Sequence, residues 1–444
     1  MTALKIAVVG SGVTGLSCAW ALSQRHDVTL IEADNRLGGH SNTVSVPLAS
    51  GGVVAVDTGF IVHNPKTYPN FVALLDYLDV DFVETEMSFS VSTENGKFEY
   101  SGHSFAHLLG RARQWTSPRQ WRLISDIVRF YRSAEYATSD DAQTLGQYLD
   151  FAGYSKAFVQ GHILPIAAAI WSLSPEQMAH YPFRAFVRFF ANHNLFALGM
   201  RSKWRTVAGG TGNYVRKLVE DSRFTSRICL PVKTIERFDD HVIVKGDGGY
   251  QERFDHVVIA THADQALQML AQPTSQEVDV LQHFKTSTNR AMLHRDKNLM
   301  PRGRRFWSSW NYMGARDGHV SVSYWMNELQ NLKSTEQHFV SLNPIQEPAP
   351  DKLDGTFVYR HPVFTQQTLA GQQQLWHLQG KQNTWFCGAW FGAGFHEDGL
   401  QAGLAVAEQL GGVRRPWAVA NESGRIHVGP HERDFPKTHS QTAK

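Results

Sequence analysis

Gly10, Gly12 and Gly15 stand between an apolar run at 6–9 and a helix-like segment at 16–22, and no other feature restricts the fold of this chain so tightly. A second apolar run at 28–31 ends at Glu32. In the spacing G-x-G-x-x-G each glycine has its own task. Gly10 permits the sharp turn from strand to helix, Gly12 lets the backbone approach a pyrophosphate, and Gly15 lets the helix pack close to the strand. The phosphates then meet the positive end of the helix, around Val13 and Thr14. Glu32, with Ala33 beside it, stands where a carboxylate accepts bonds from the adenosine ribose. The triplet alone also fits plain helix–strand packing. With the strand, the helix and the acid all in place, it reads as a dinucleotide site.

The next residues, Arg36, Leu37, Gly38, Gly39 and His40, narrow the cofactor. A nicotinamide site has no need of a second glycine pair here. A flavin dinucleotide does, because the chain must pass close beneath its phosphates and ribityl. FAD is therefore the expected cofactor.

Length and composition set bounds. The 444 residues allow two or three domains with sizeable cores. A net charge of +2 argues against a nucleic-acid protein. Cys18, Cys229 and Cys387 give neither a metal spacing nor a disulfide framework, so no metal is expected and a reducing, cytoplasmic setting is. The chain opens on a strand pattern, and no leader segment is expected. The longest apolar stretch, 163–171, contains Pro165 and falls short of the roughly 20 residues that span a bilayer. The 12 Trp and 26 Phe imply either a large core or an apolar tunnel for a long substrate.

The spacing of elements predicts a discontinuous architecture. Residues 228–261 read as short strands with turns at Asp239-Asp240 and 246–249, ending in a buried parallel strand through Ala260. Residues 385–410 read as a strand, a Gly-rich loop from Gly388 and a helix from about Asp398. Asn95-Gly96 marks a hairpin, and helices are expected at 119–137 and 182–192. The fold class is α/β. A Rossmann-like FAD-binding domain is assembled from 1–85, 205–272 and 380–412, and an α+β substrate domain from 86–204 and 273–379. Residues 413–444 lack periodicity and are expected to form a disordered tail.

These blocks resemble the flavin amine oxidase and phytoene desaturase superfamily, whose FAD domain is of the discontinuous glutathione reductase 2 (GR2) type. Glu32, Arg36, Gly38 and Gly39 fit its E-x-x-x-R-x-G-G element, where the family usually carries Arg at the position of His40. By resemblance, Gly59, Phe60 and Ile61 pass over the flavin ring, residues 209–214 form a loop near it, and Val232 holds adenine. Asp398, Gly399 and Leu400 open the closing E-G-A-like helix. Residues 57–71, 204–215, 293–301 and 388–410 are similar to a bacterial group of predicted FAD-binding, amine oxidase-like proteins linked to modified fatty acids. That resemblance implies a lipid substrate.

The flavin would carry the redox chemistry, and the protein must place a C–H bond against it and exclude water. Candidates for direct roles are His396 and Glu397, before the closing helix, and His63 and Tyr68, after the flavin-passing segment. His294 and Asp296 are further candidates in the substrate domain. Three reactions remain open: desaturation of a methylated or plain fatty acyl chain, oxidation of a small amine or polyamine, and redox-neutral isomerisation. Residues 111–132 carry six Arg among aromatics, a pattern that fits either peripheral contact with an anionic bilayer or a solvated helix on the core.

Overall fold

The apolar run before Gly10 forms strand β1 (Lys5–Val9). Helix α1 (Val13–Ser23) links it to β2 (Asp27–Ile31). The computed structural model describes residues 3–137, 143–171, 173–192, 195–196, 203–315 and 319–429. Three short strands from distant segments complete a parallel sheet: β3 (Thr225–Arg227), β4 (His256–Ile259) and β5 (Thr384–Phe386), in the order β3-β2-β1-β4-β5. Val9 lies opposite both Ile31 and Ile259, so β1 is central and buried on both faces, as its unbroken apolar sequence requires.

Every residue of α1 is buried, because a second helix covers its outer side. That helix, α5 (His396–Leu410), presents Gly399 and Gly403 to α1. A Cβ on Gly399 would lie 2.6 Å from Thr14 Oγ1, and one on Gly403 would collide with the Thr14 carbonyl oxygen. The two helices touch backbone to backbone.

Beside this unit lies a seven-stranded sheet. Its order is Leu353–Val363, Lys285–His294, Phe339–Leu342, Val320–Trp325, Trp310–Gly314, Phe89–Thr93, Phe98–Ser101. All pairs are antiparallel except Trp310–Gly314 with Phe89–Thr93. The expected hairpin is present, with Asn95 at φ 60° and Gly96 at φ 75° in its turn. One set of sheet residues, including Leu293, Val322 and Val340, packs into the nucleotide core. Another, including Val91, Tyr100 and Tyr312, packs into a helical core with Phe130, Phe158, Trp171, Phe186 and Phe190. The aromatic surplus is spent largely here: Phe186 stacks on Phe190 at 4.2 Å and Phe189 on Phe395 at 4.6 Å.

The basic helix is α3 (Pro118–Ser133), one turn shorter than the 119–137 expected; a 3-10 turn, Ala134–Tyr136, follows it. Its apolar residues Leu123, Ile124, Ile127 and Phe130 face inward, so core packing accounts for its amphipathic pattern. Three of the arginines meet acids of the protein itself: Arg111 pairs with Glu99, Arg119 with Glu94, and Arg129 with Asp126. Trp115 and Trp121 remain half exposed, at 50% and 49%. Tyr131 is partly buried and bonds His162 Nε2 at 3.0 Å. Among the described residues no helix is long and apolar enough to cross a membrane.

The segment 413–429, expected to be disordered, is packed. Trp417 stacks on Trp20 at 6.0 Å, and the buried Arg415 guanidinium bonds Glu408 and Asn70. Side-chain anchoring of this kind leaves no periodic signature. The rest of that expectation, 430–444, lies outside the described residues.

Candidate active site

The glycine turn has the geometry that a pyrophosphate needs. Gly10, at φ +100°, donates its N–H to Ile31 at 2.8 Å, and a Cβ on Gly15 would collide with the Gly10 carbonyl. A Cβ on Gly12 would meet nothing within 4 Å. Gly10 and Gly15 are thus glycine because protein fills the space, and Gly12 because space is kept open. No side chain caps the start of α1 there. Its first-turn N–H groups at Val13 and Thr14 suit an anion.

Glu32 Oε2 accepts bonds from the Ser11 N–H at 2.8 Å and the Ser11 hydroxyl at 2.6 Å, and Oε1 accepts from the Asp34 N–H. The carboxylate therefore fixes the glycine turn as well as standing at the end of β2. Ala33 is exposed beside it. The second glycine pair is held by Arg36, which donates to the Gly39 carbonyl at 2.7 Å. A Cβ on Gly39 would lie 3.0 Å from Gly12 Cα, so the two glycine loops press together. Gly38, at φ +113°, turns the chain into this contact.

The flavin-passing segment sits on the same loop. Phe60 donates its N–H to the His40 carbonyl at 2.8 Å, and a Cβ on Gly59 would collide with that oxygen. The Ile61 carbonyl accepts from Thr206 Oγ1. Ala260 donates to Val9 and lies beside Gly10 and Gly15, and a Cβ on Gly388 would strike the Trp390 indole. Leu230 donates to the Glu32 carbonyl, which places Val232 two residues beyond the β2 edge. Leu400 is fully buried in α5.

The candidate chemical residues separate into distinct environments. The His396 ring stacks on Phe60 at 3.8 Å with the two planes nearly parallel, and its Nε2 meets the Tyr214 hydroxyl at 2.8 Å. That hydroxyl meets Ser41 Oγ at 2.5 Å, which closes a Ser41–Tyr214–His396 chain. Burial first, and His63 second, push the His396 pKa down to about 3, so its imidazole is neutral. The Phe71 ring stands edge-on to His63, Phe60, Tyr214 and His396, each at 5.1–5.2 Å. These rings form one aromatic box.

Glu397, expected to take part in chemistry, is committed to structure. It accepts from the Asn70 N–H, Asn70 Nδ2, the Phe71 N–H and Gln401 Nε2. Asn70 and Phe71 open helix α2 (Pro69–Tyr77), so this carboxylate caps that helix. Burial raises its pKa, opposed by those donors. Asp398 is likewise bound, to Arg425 and to the Phe395 N–H. His63 is fully buried against Phe71, and burial followed by Arg205 lowers its pKa to about 3. Tyr68 is buried near Arg425 and Asp398, and burial raises its pKa far above the ordinary tyrosine value. His294, at the end of a strand of the seven-stranded sheet, bonds Ser341 at 2.8 Å, and Asp296, just beyond that strand, accepts from the Asn298 and Ala349 N–H groups. Among the described residues no group of His, Cys, Asp or Glu could hold a metal ion.

Sequence reading missed Ser41, Tyr359, His361 and Arg425 as site residues, and reached Tyr214 only as part of the 209–214 loop. Tyr359 bonds both Thr58 and Asn42, and its ring lies 4.9 Å from His40. Arg425 comes from the supposed tail. No local pattern signals Tyr359, His361 or Arg425, because each is recruited from a distant segment.

The profile of flavin-containing amine oxidoreductases matches residues 13–411. The chain belongs to that family. As a member it is an FAD-dependent oxidoreductase, and the open space at Gly12 and the uncapped α1 fit the cofactor. Bound FAD supplies a hydride acceptor; the chain's own residues bind it, orient the reacting group and exclude water. No curated protein sequence matches the chain. Among solved structures it is similar to an Exiguobacterium sp. 255-15 protein assigned as a protoporphyrinogen oxidase, with 15% identity and a TM-score of 0.67 over 92% of this chain and 99% of that one. A fatty acid isomerase from P. acnes gives 14% and 0.63, over 92% and 98%. Cyclohexylamine oxidase from Brevibacterium oxydans IH-35A gives 13% and 0.63, over 92% and 100%. At these identities the likeness is one of fold.

Proposed function

We propose that this flavoenzyme withdraws hydride from an apolar substrate, a fatty acyl chain of a lipid, and that loss of a proton from the adjacent carbon completes a double bond. The observation that carries the reading is the electrostatic character of the aromatic box. The carboxylates around it, Glu397, Asp398 and Asp57, are consumed by internal donors, and His396 and His63 are neutral. A box without a free negative charge gives an ammonium group no counter-ion and suits a hydrocarbon. Phe60, Phe71, Tyr214 and the nearby Phe395 supply apolar walls. The FAD domain is proposed to comprise 1–85, 205–272 and 380–412, with 86–204 and 273–379 contributing the substrate side. His396 is the proposed direct participant, oriented by Tyr214. The exposed Trp115 and Trp121, with Arg122 and Arg132 on the outer face of α3, are the proposed contact with an anionic bilayer, where such a substrate resides.

The test is anaerobic mixing of the yellow holoenzyme with membrane lipid extract, and separately with a panel of amines. Lipid-driven bleaching of the flavin, with a product two hydrogens lighter, is expected. Bleaching by amines alone makes the enzyme an amine oxidase. A lipid product of unchanged mass makes it an isomerase, the activity named for the P. acnes protein of similar fold.

A further inference from the structure

Three histidines from three separate segments meet beside the cofactor cradle. His40 follows the glycine pair that presses on Gly12. Its ring lies 5.4 Å from that of His361, on the strand Leu353–Val363. His262 directly follows Thr261, whose side chain lies against Gly10, beyond the end of β4.

A hydrogen-bond chain fixes His361. The Arg290 N–H donates to Asn343 Oδ1, so the amide of Asn343 must present its Nδ2 on the other side. Asn343 Nδ2 donates to Asn289 Oδ1 at 2.8 Å. Asn289 therefore presents its own Nδ2, which meets His361 Nδ1 at 3.2 Å. His361 Nδ1 is thus an acceptor, and the ring carries its proton on Nε2 as a fixed donor.

The fixed charges around the cluster are those of Arg36, Arg360 and Asp264. Arg36, His262, His361 and His396 all act on His40. Asp264 and Arg360 face His262, but these two pair with each other. Tyr359 faces His40 as a neutral phenol. Burial foremost keeps His40 neutral and holds His262 and His361 down at about 4; the neighbouring rings and Arg36 add to this at His40, and at His262 Asp264 opposes it. Three neutral imidazoles thus stand beside the cradle, and the carboxylate that faces His262, Asp264, is paired with Arg360.

We propose that His40, His262 and His361 form a proton-loading site for the pyrophosphate of FAD, in which binding of the anion is coupled to uptake of a proton by the cluster. Arg36 is already bound to the Gly39 carbonyl and supplies one fixed charge. The cluster supplies a second only when the phosphates arrive. The sign follows from linkage: the bound state holds more protons than the free state, so affinity falls as pH rises. This inference rests on FAD binding alone and is independent of the substrate.

Calorimetry of FAD binding to the full-length apoprotein at pH 7.5, in two buffers of different ionisation enthalpy, reads the proton directly. Net uptake approaching one proton is expected. The dissociation constant should rise with pH by up to about tenfold per unit, the limit for one linked proton. ADP, which carries the phosphates without the flavin, should show the same uptake. His40→Arg installs a permanent charge and should bind FAD with a flatter pH dependence, and a colourless apoprotein with wild-type melting temperature confirms that it is folded. FAD binding without proton uptake overturns the proposal, as does uptake seen with FAD and absent with ADP. Failure to bind FAD at any pH overturns the cofactor assignment and the proposal together.

Discussion

The nucleotide unit and the aromatic box are built on opposite principles. Around the cofactor the geometry is dictated by missing side chains: Gly10, Gly15, Gly39, Gly59, Gly399 and Gly403 all sit where a Cβ would press on or strike neighbouring protein atoms. The aromatic box is dictated by side chains that are present: Phe60, Phe71, Tyr214, His63 and His396 interlock from four chain segments. The first kind of site is intolerant of addition, and the second of removal.

The sharpest break of this contrast lies within the glycines themselves. Gly15→Val forces a side chain into the Gly10 carbonyl and should destabilise by more than about 3 kcal/mol, seen as loss of folded protein. Gly12→Val points into open space and should keep the wild-type melting temperature while losing FAD, read from the visible spectrum. Equal melting temperatures for the two variants would mean that Gly15 is not a packing position. Glu397→Ala comes next. It strands the Asn70 and Phe71 N–H groups at a buried helix start, at a cost of roughly 2–3 kcal/mol in urea unfolding. Flavin reduction by substrate, corrected for folded fraction, should survive; its abolition would return Glu397 to the chemistry.

His396→Ala should retain flavin yet slow substrate-driven reduction by up to about 10²-fold in single-turnover mixing. The wild-type rate should show no inflection from His396 between pH 5 and 8, since that ring, at about 3, is neutral throughout. A step near pH 6.5 that disappears in the variant would show the ring to be titrating. A smaller effect concerns acid stability. His63, His162 and His396 sit at about 3 when folded, below the unfolded value of 6.5. The unfolded chain therefore binds more protons between those values, and stability is lost as pH falls through that window. Each such ring contributes up to about 1.4 kcal/mol per pH unit, measurable by urea unfolding at pH 7 and pH 5. The smallest effect is expected at α3. Trp115→Ala with Trp121→Ala and Arg122→Glu should weaken sedimentation with anionic vesicles while leaving flavin content unchanged. Wild type that does not sediment removes the bilayer contact.

The same contrast explains what could be read from the sequence. A glycine required by a turn or a close approach is required locally, so the β1–α1–β2 unit, the second glycine pair and the hairpin at Asn95-Gly96 were all legible. The Tyr214–His396 bond joins residues 182 positions apart, and Arg425 reaches Asp398 from a stretch with no periodicity. Glu397 looked chemical because it precedes the closing helix. Only the fold reveals that α2 begins directly beside it. The arginines of 111–132 fit either a membrane face or a solvated helix in the sequence, and only the fold shows that Glu99, Glu94 and Asp126 meet three of them.

The glycine contact between α1 and α5 also sets a timetable. The first helix is sealed by α5, the last among the described residues, and both faces of β1 need partners that are made late. At ribosomal speeds of about 5–20 residues per second, α1 waits roughly 20–80 s for α5 to be synthesised. During that interval a helix that is buried along its whole length in the folded chain is without its cover, and the nascent chain is a client for chaperones. The cradle for FAD is completed only after α5 emerges, so loading of the flavin belongs to the end of synthesis, and a chain that stops before His396 should be colourless and insoluble.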